Sequence, residues 1–157
     1  MDILLVSLED ICRSRIAQGL LSSYGRGMRI ETAGIAEGSH VPEVVCKVME
    51  DNGHEVALNK PVALSSYVEQ SWDYVITLCQ EAADEVKYLP IRSNHIVHFD
   101  FEDSFKKRGL NEDEQEELVL EVYQEMDHQL YRFYRDELSE QLLPRCTCGA
   151  NTYCRCE

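Results

Sequence analysis

The chain has 157 residues, 44% of them apolar, which is enough for one well-buried domain and short for two. Its formal charge of −14 repels phosphate backbones and anionic membranes, so neither nucleic acid nor a membrane is expected as a partner. No run approaches the length of a membrane span, and "MDILLV" fits a buried strand better than a signal peptide, so a soluble, cytoplasmic protein is expected.

The fully apolar run "DILLV" reads as a strand buried on both faces of a parallel sheet. "SRIAQGLLSSY" follows as a helix with Ile16, Leu20 and Tyr24 on one face, and "GRG" breaks it. "MRIETAG" reads as a second strand. "VPEVVCKVMEDNG" starts a helix near Pro42, carries a stripe of Val45, Val48 and Met49, and stops at Asn52-Gly53. "SSYVEQS" reads as a short capped turn of helix, and "DYVITLC" and "NHIVHFDF" as two further strands. From Asn111 to about Leu143 the pattern is one long acidic helix. Its stripe of Leu118, Val122, Met126, Leu130 and Phe133 would cover the sheet, and Pro144 ends it. Its acidic face is expected to be solvated, with a docked protein partner as the functional alternative.

Strands alternating with helices imply an α/β fold, a three-layer sandwich with a four-stranded parallel sheet and right-handed crossovers. In such sheets ligands bind beyond the C-terminal strand ends. That rule gathers Ser7 to Ser14, Cys79 to Asp84 and Asp100 to Ser104 as loops at one edge. The expected organisation is a domain over 1–143 and a cysteine-rich tail over 144–157.

Seven cysteines, an odd number, argue against a disulfide framework. Four crowd the tail "CTCGANTYCRCE". Cys146, Cys148, Cys154 and Cys156 form the ligand set of a tetrahedral Zn²⁺ or an iron–sulfur cluster, although a redox-sensitive tail gives the same composition. Cys12, next to Arg13, reads either as a packed thiol or as a low-pKa, peroxide-sensing one. His95 and His98 read as structural histidines. Glu9, Asp10, Asp100, Glu102 and Asp103 read as solvated carboxylates, with a hard-cation site as the sharper alternative.

The opening strand, the turn "SLEDIC" and the Arg-Ser pair that starts a helix resemble the phosphate loop of the low-molecular-weight protein tyrosine phosphatases and the thioredoxin-coupled arsenate reductases. "RIAQGLL", "IETAGI", "DYVITLC" and "HFDFEDS" resemble later family segments in the same order. The resemblance implies a phosphotyrosine protein phosphatase I-like fold from about Asp2 to the middle of the last helix. It implies an anion cradle built by Ile11, Cys12, Arg13 and Ser14, with Arg13 binding a tetrahedral oxyanion or phosphorylated ligand. It also implies a general acid at Asp103, a resolving cysteine at Cys79 and a nucleophile position at Ser7.

The departures fall inside the cradle. Ser7 stands where the family has its nucleophilic cysteine, and no nearby base is evident. Glu9 and Asp10 replace small and amide residues. Pointed inward about 5 Å from a bound oxyanion, each would repel it by about 3 kcal/mol at an effective dielectric of about 20. Ser104 follows Asp103 where the family has proline, and the reductases' third cysteine falls on Val86. The expectation is a catalytically degenerate member acting as a binding or regulatory protein, with Arg13 paired to Glu9, Asp10 or Asp103. The alternative is an active arsenate reductase or phosphatase in which Ser7 has been substituted to trap substrate or another thiol, such as Cys12, serves.

Overall fold

The computed structural model describes residues 1–142. Four strands, β1 (Asp2–Ser7), β2 (Arg29–Gly34), β3 (Ser71–Thr77) and β4 (Arg92–His98), form one parallel sheet in the order β2-β1-β3-β4. Central β1 pairs Val6 with Ala33 on one side and Thr77 on the other, so its residues are buried on both faces. Successive side chains alternate across the pleat. Ile3 and Leu5 therefore enter a large core with Ile16, Leu20, Val45, Val48, Met126 and Leu130, while Leu4 and Val6 enter a smaller one with Leu64, Trp72, Ala82 and Val86.

Helices α1 (Arg13–Tyr24), α2 (Glu43–Asp51) and α4 (Glu112–Phe133) cover the first face. The 3-10 turn Leu64–Tyr67 and α3 (Gln80–Tyr88) cover the second, which completes the three layers. Among the described residues no helix is long and apolar enough to cross a membrane.

Three local expectations need correction. The stretch from Cys79 to Asp84 is not a loop: α3 begins at Gln80, because Ala82 and Val86, one turn apart, present an apolar stripe to the sheet. The long acidic helix is interrupted, running regularly to Phe133, then as a π-helical segment Tyr134–Leu138, then as α5 (Ser139–Leu142). The insertion turns Leu138 into the core. The stripe of α4 is buried as expected at Val122, Met126, Leu130 and Phe133 but is wider, taking in Val119 and Tyr123, whereas Leu118 is half-buried beside a cleft.

Strand β4 is an edge strand, largely exposed, with Ile96 at 60%. Its histidines make local contacts. His95 stacks on Tyr74 with centroids 4.8 Å apart, and the Nδ1 of His98 lies 2.8 Å from the Thr77 hydroxyl.

Candidate anion-binding site

The C-terminal ends of β1, β3 and β4 bring the segments around Ser7, Cys79 and Asp103 to one edge, the place where parallel sheets bind ligands. After Ser7 the chain keeps contact with the continuation of β2: the Ile35 N–H donates to the Ser7 carbonyl at 3.1 Å and the Ala36 N–H to the Leu8 carbonyl at 2.7 Å. It then turns across Gly34 and enters α1 at Arg13. Gly34 matters for space. A Cβ there would sit 2.7 Å from the Asp10 nitrogen and 3.1 Å from the Glu9 carbonyl carbon.

Ser7 is fully buried, and its hydroxyl donates to the Glu9 carbonyl at 2.6 Å. The same carbonyl accepts the Ile11 N–H at 2.9 Å. One main-chain donor of the turn is thus used internally, and the Ser7 hydroxyl has no hydrogen bond to a histidine, lysine or carboxylate among the described residues. The hollow bounded by Leu8, Glu9, Ile11, Cys12, Arg13 and Asp103 measures about 20 Å³, room for about one water.

Asp10 points neither into this hollow nor to solvent. It is fully buried and ion-paired at 2.9 Å to Arg15, which is itself fully buried. The repulsion expected from Asp10 is therefore compensated. Glu9 is exposed, as expected for a solvated carboxylate. Among the described residues no three acidic, histidine or cysteine side chains form a group that could hold a metal ion, so the hard-cation alternative is not supported.

Arg13 also departs from expectation. It is 7% exposed, donates from Nη1 to the Phe101 carbonyl at 2.9 Å, and forms no ion pair with Glu9, Asp10, Asp103 or any other carboxylate among the described residues. A nearly buried guanidinium without a salt bridge carries a desolvation cost that a bound anion would offset. Arg13 borders both the small hollow and a larger cleft of about 840 Å³, which Leu8, Cys79, Glu81, Asp103 and Leu118 also line. Half-buried Asp103 borders both spaces too, its Oδ1 accepting the Phe105 N–H at 2.9 Å.

The thiols at this edge are held protonated. Cys12 is fully enclosed, and burial pushes its pKa up to about 12, with Arg13 lowering it and Asp103 raising it by smaller amounts. Burial thus favours the packed-thiol reading of Cys12. Cys79, 1% exposed at the N-terminus of α3, is also raised, chiefly by burial, with partial relief from the Ala82 N–H and Arg13. Glu81 is the opposite case: its own main-chain N–H, and then Cys79, Arg13 and Lys106, hold its carboxyl below the usual range against some desolvation.

Arg13 and Asp103 border both the hollow and the cleft, Ile11 and Cys12 line the hollow and Cys79 the cleft, whereas Ser7 and Ser14 are fully buried and line neither. The tail cysteines Cys146, Cys148, Cys154 and Cys156 lie outside the described residues. Sequence reasoning missed Arg15 and the Phe101 carbonyl. The first left one signal, an acid and a base of opposite charge flanking the Arg-Ser pair; the second, a main-chain group, left none.

Comparisons with known proteins agree with this fold. The family model for "Low molecular weight phosphotyrosine protein phosphatase" matches residues 2–142. An arsenate reductase of Bacillus subtilis (strain 168) is 30% identical over 105 residues, covering 65% of this chain and 73% of that protein. The YwlE arginine phosphatase from Geobacillus stearothermophilus superposes with a TM-score of 0.68 at 21% identity, over 90% of this chain and 95% of the other. Vibrio vulnificus Wzb in complex with benzylphosphonate gives a TM-score of 0.71 at 17% identity, over 85% and 97%.

Proposed function

Because the chain belongs to the low molecular weight phosphotyrosine protein phosphatase family, we propose that it is an oxyanion-binding member that has lost the family's nucleophilic chemistry and serves as a binding or regulatory protein. The observation that carries this reading is the state of Ser7. A serine hydroxyl attacks phosphorus or arsenic only when a base removes its proton. Here the hydroxyl is buried and its proton is directed at the Glu9 carbonyl, a main-chain acceptor that cannot become a base. Binding and chemistry thereby separate. Arg13 keeps free N–H capacity facing the cleft for a tetrahedral oxyanion or the phosphoryl end of a larger ligand, while the position that would form the covalent bond is inert.

The Ser7→Cys variant tests the reading with an aryl phosphate and arsenate as substrates. Turnover is expected to stay at background, because the Glu9 carbonyl and the small hollow remain. Strong turnover would contradict it and favour a second reading, an active arsenate reductase or tyrosine phosphatase with a substituted nucleophile. That reading draws on Arg13, Asp103 and Cys79 sharing one cleft. Within it Cys12 is a poor replacement, since a thiol with a pKa of about 12 supplies almost no thiolate near neutrality.

Two further elements belong to the proposal. The four tail cysteines would hold Zn²⁺ or an iron–sulfur cluster, as their number and crowding allow. The acidic outer face of α4, from Glu112 onward, would meet a basic protein partner.

A further inference from the structure

We infer that Asp10 and Arg15 are positioning residues of the anion site: Asp10 anchors the turn from beneath, and Arg15 cancels the carboxylate's charge so that an oxyanion can still approach. The inference rests on the anion-binding reading above and adds residues to it.

The two side chains are the best-satisfied polar pair in the described structure, and both are fully buried. The Asp10 carboxylate accepts from the Ser14 hydroxyl at 2.7 Å, from Arg15 Nε at 3.1 Å and Nη2 at 2.9 Å, and from the Val62 N–H at 3.0 Å. The Arg15 Nε–H is shared with the Asp10 carbonyl at 3.2 Å, Nη1 donates to the Ala57 carbonyl at 2.9 Å and the Asn59 amide oxygen at 2.7 Å, and Nη2 also donates to the Lys60 carbonyl at 3.4 Å. The turn that carries Ser7 and Arg13 is thus tied at one point to the start of α1 and to the segment 57–62. Neither Asp10 nor Ser14 nor Arg15 lines the hollow or the larger cleft.

A buried carboxylate this close to the loop would oppose any bound anion. Arg15 enters α1 two residues after Arg13, on the side facing Asp10, so the two arginines divide the work. Arg15 meets the fixed negative charge, and Arg13 is left for the mobile one.

The pair makes a prediction that a purely structural role does not. Asp10→Asn keeps the shape and most hydrogen bonds but removes one negative charge, leaving Arg15 as an extra cation beneath the loop. Phosphate binding, measured by calorimetric titration, is expected to tighten by about threefold to tenfold while the melting temperature falls. Affinity and stability should move in opposite directions. Arg15→Gln should lower both, and the double variant Asp10→Asn/Arg15→Gln should recover phosphate affinity relative to Arg15→Gln alone. If Arg15→Gln does not fold, Asp10→Asn still decides. Equal or weaker phosphate binding by folded Asp10→Asn overturns the inference while leaving Arg13-dependent binding by the native protein intact. Absence of phosphate binding by the native protein overturns the anion-site reading itself, and this inference with it.

Discussion

Arg13 and Cys12 are adjacent in sequence, yet enclosure acts on them in opposite ways. The guanidinium stays charged when buried and so creates demand for an anion, whereas the thiol responds by keeping its proton. A cysteine pKa of about 12 in the folded chain, against about 8.5 unfolded, is a stability statement. The contribution is fully present below the unfolded value and is lost as pH rises through about 9 towards 12. Cys12→Ala should therefore flatten the alkaline decline in stability, read by denaturant unfolding at pH 8 and pH 10. An unchanged slope would remove Cys12 as its source.

At these positions the sequence was legible wherever a motif fixed a spacing. Arg13 and Ser14 follow the turn at the right distance, and Asp103 and Cys79 follow their strands. Arg15 left only the weak signal of an opposite charge at Asp10, because a basic residue in the first turn of a helix ordinarily reads as solvated. Its burial depends on the carbonyls of Ala57 and Lys60, supplied by a segment distant in sequence.

The elements around the site depend on close backbone approach more than on side-chain chemistry. Gly34 ends β2 where the turn crosses it, and an added methyl would push against the main chain of Glu9 and Asp10. Gly34→Ala should cost about 1–3 kcal/mol, typical of overpacking. It should also abolish phosphate binding by displacing the turn, which unfolding and titration of the same preparation would check. Retained phosphate affinity would mean that the turn is not set by this contact.

The central strands β1 and β3 were read well because each is an apolar run between turn signals, and α1 and α2 because their stripes repeat at helical spacing. Helix α3 was missed because its apolar residues are few and its exposed positions are charged, so the stretch looks like a loop. The break near Tyr134 was missed because a π-helical insertion keeps the composition of the helix it interrupts. Only the shift that brings Leu138 into the core reveals it.

The molecule as a whole joins a family fold to an unusual charge balance. The sheet order β2-β1-β3-β4 places the site at the end of two adjacent central strands, and the layers on both faces fix that edge. A net charge of −14 works against any free anion, so the local cation at Arg13 has to overcome the long-range field. The fold was legible because several ordered segments agreed. The orientation of Asp10 was not, because its direction is decided by contacts that only the folded chain creates.

The cysteine-rich tail is a separate proposal with a separate check. Elemental analysis of the intact protein beside a form truncated after Pro144 should find zinc or iron only in the intact form, and equal metal content would dismiss the tail as a site.

The most direct test of the central claim, a retained anion cradle without a nucleophile, is calorimetric titration of phosphate into the metal-free native protein with Arg13→Ala alongside. The account predicts binding in the millimolar range or tighter, weakened by about tenfold to a hundredfold in Arg13→Ala, the loss expected for hydrogen bonds to a charged group. No binding by the native protein, or equal binding by both, would contradict it.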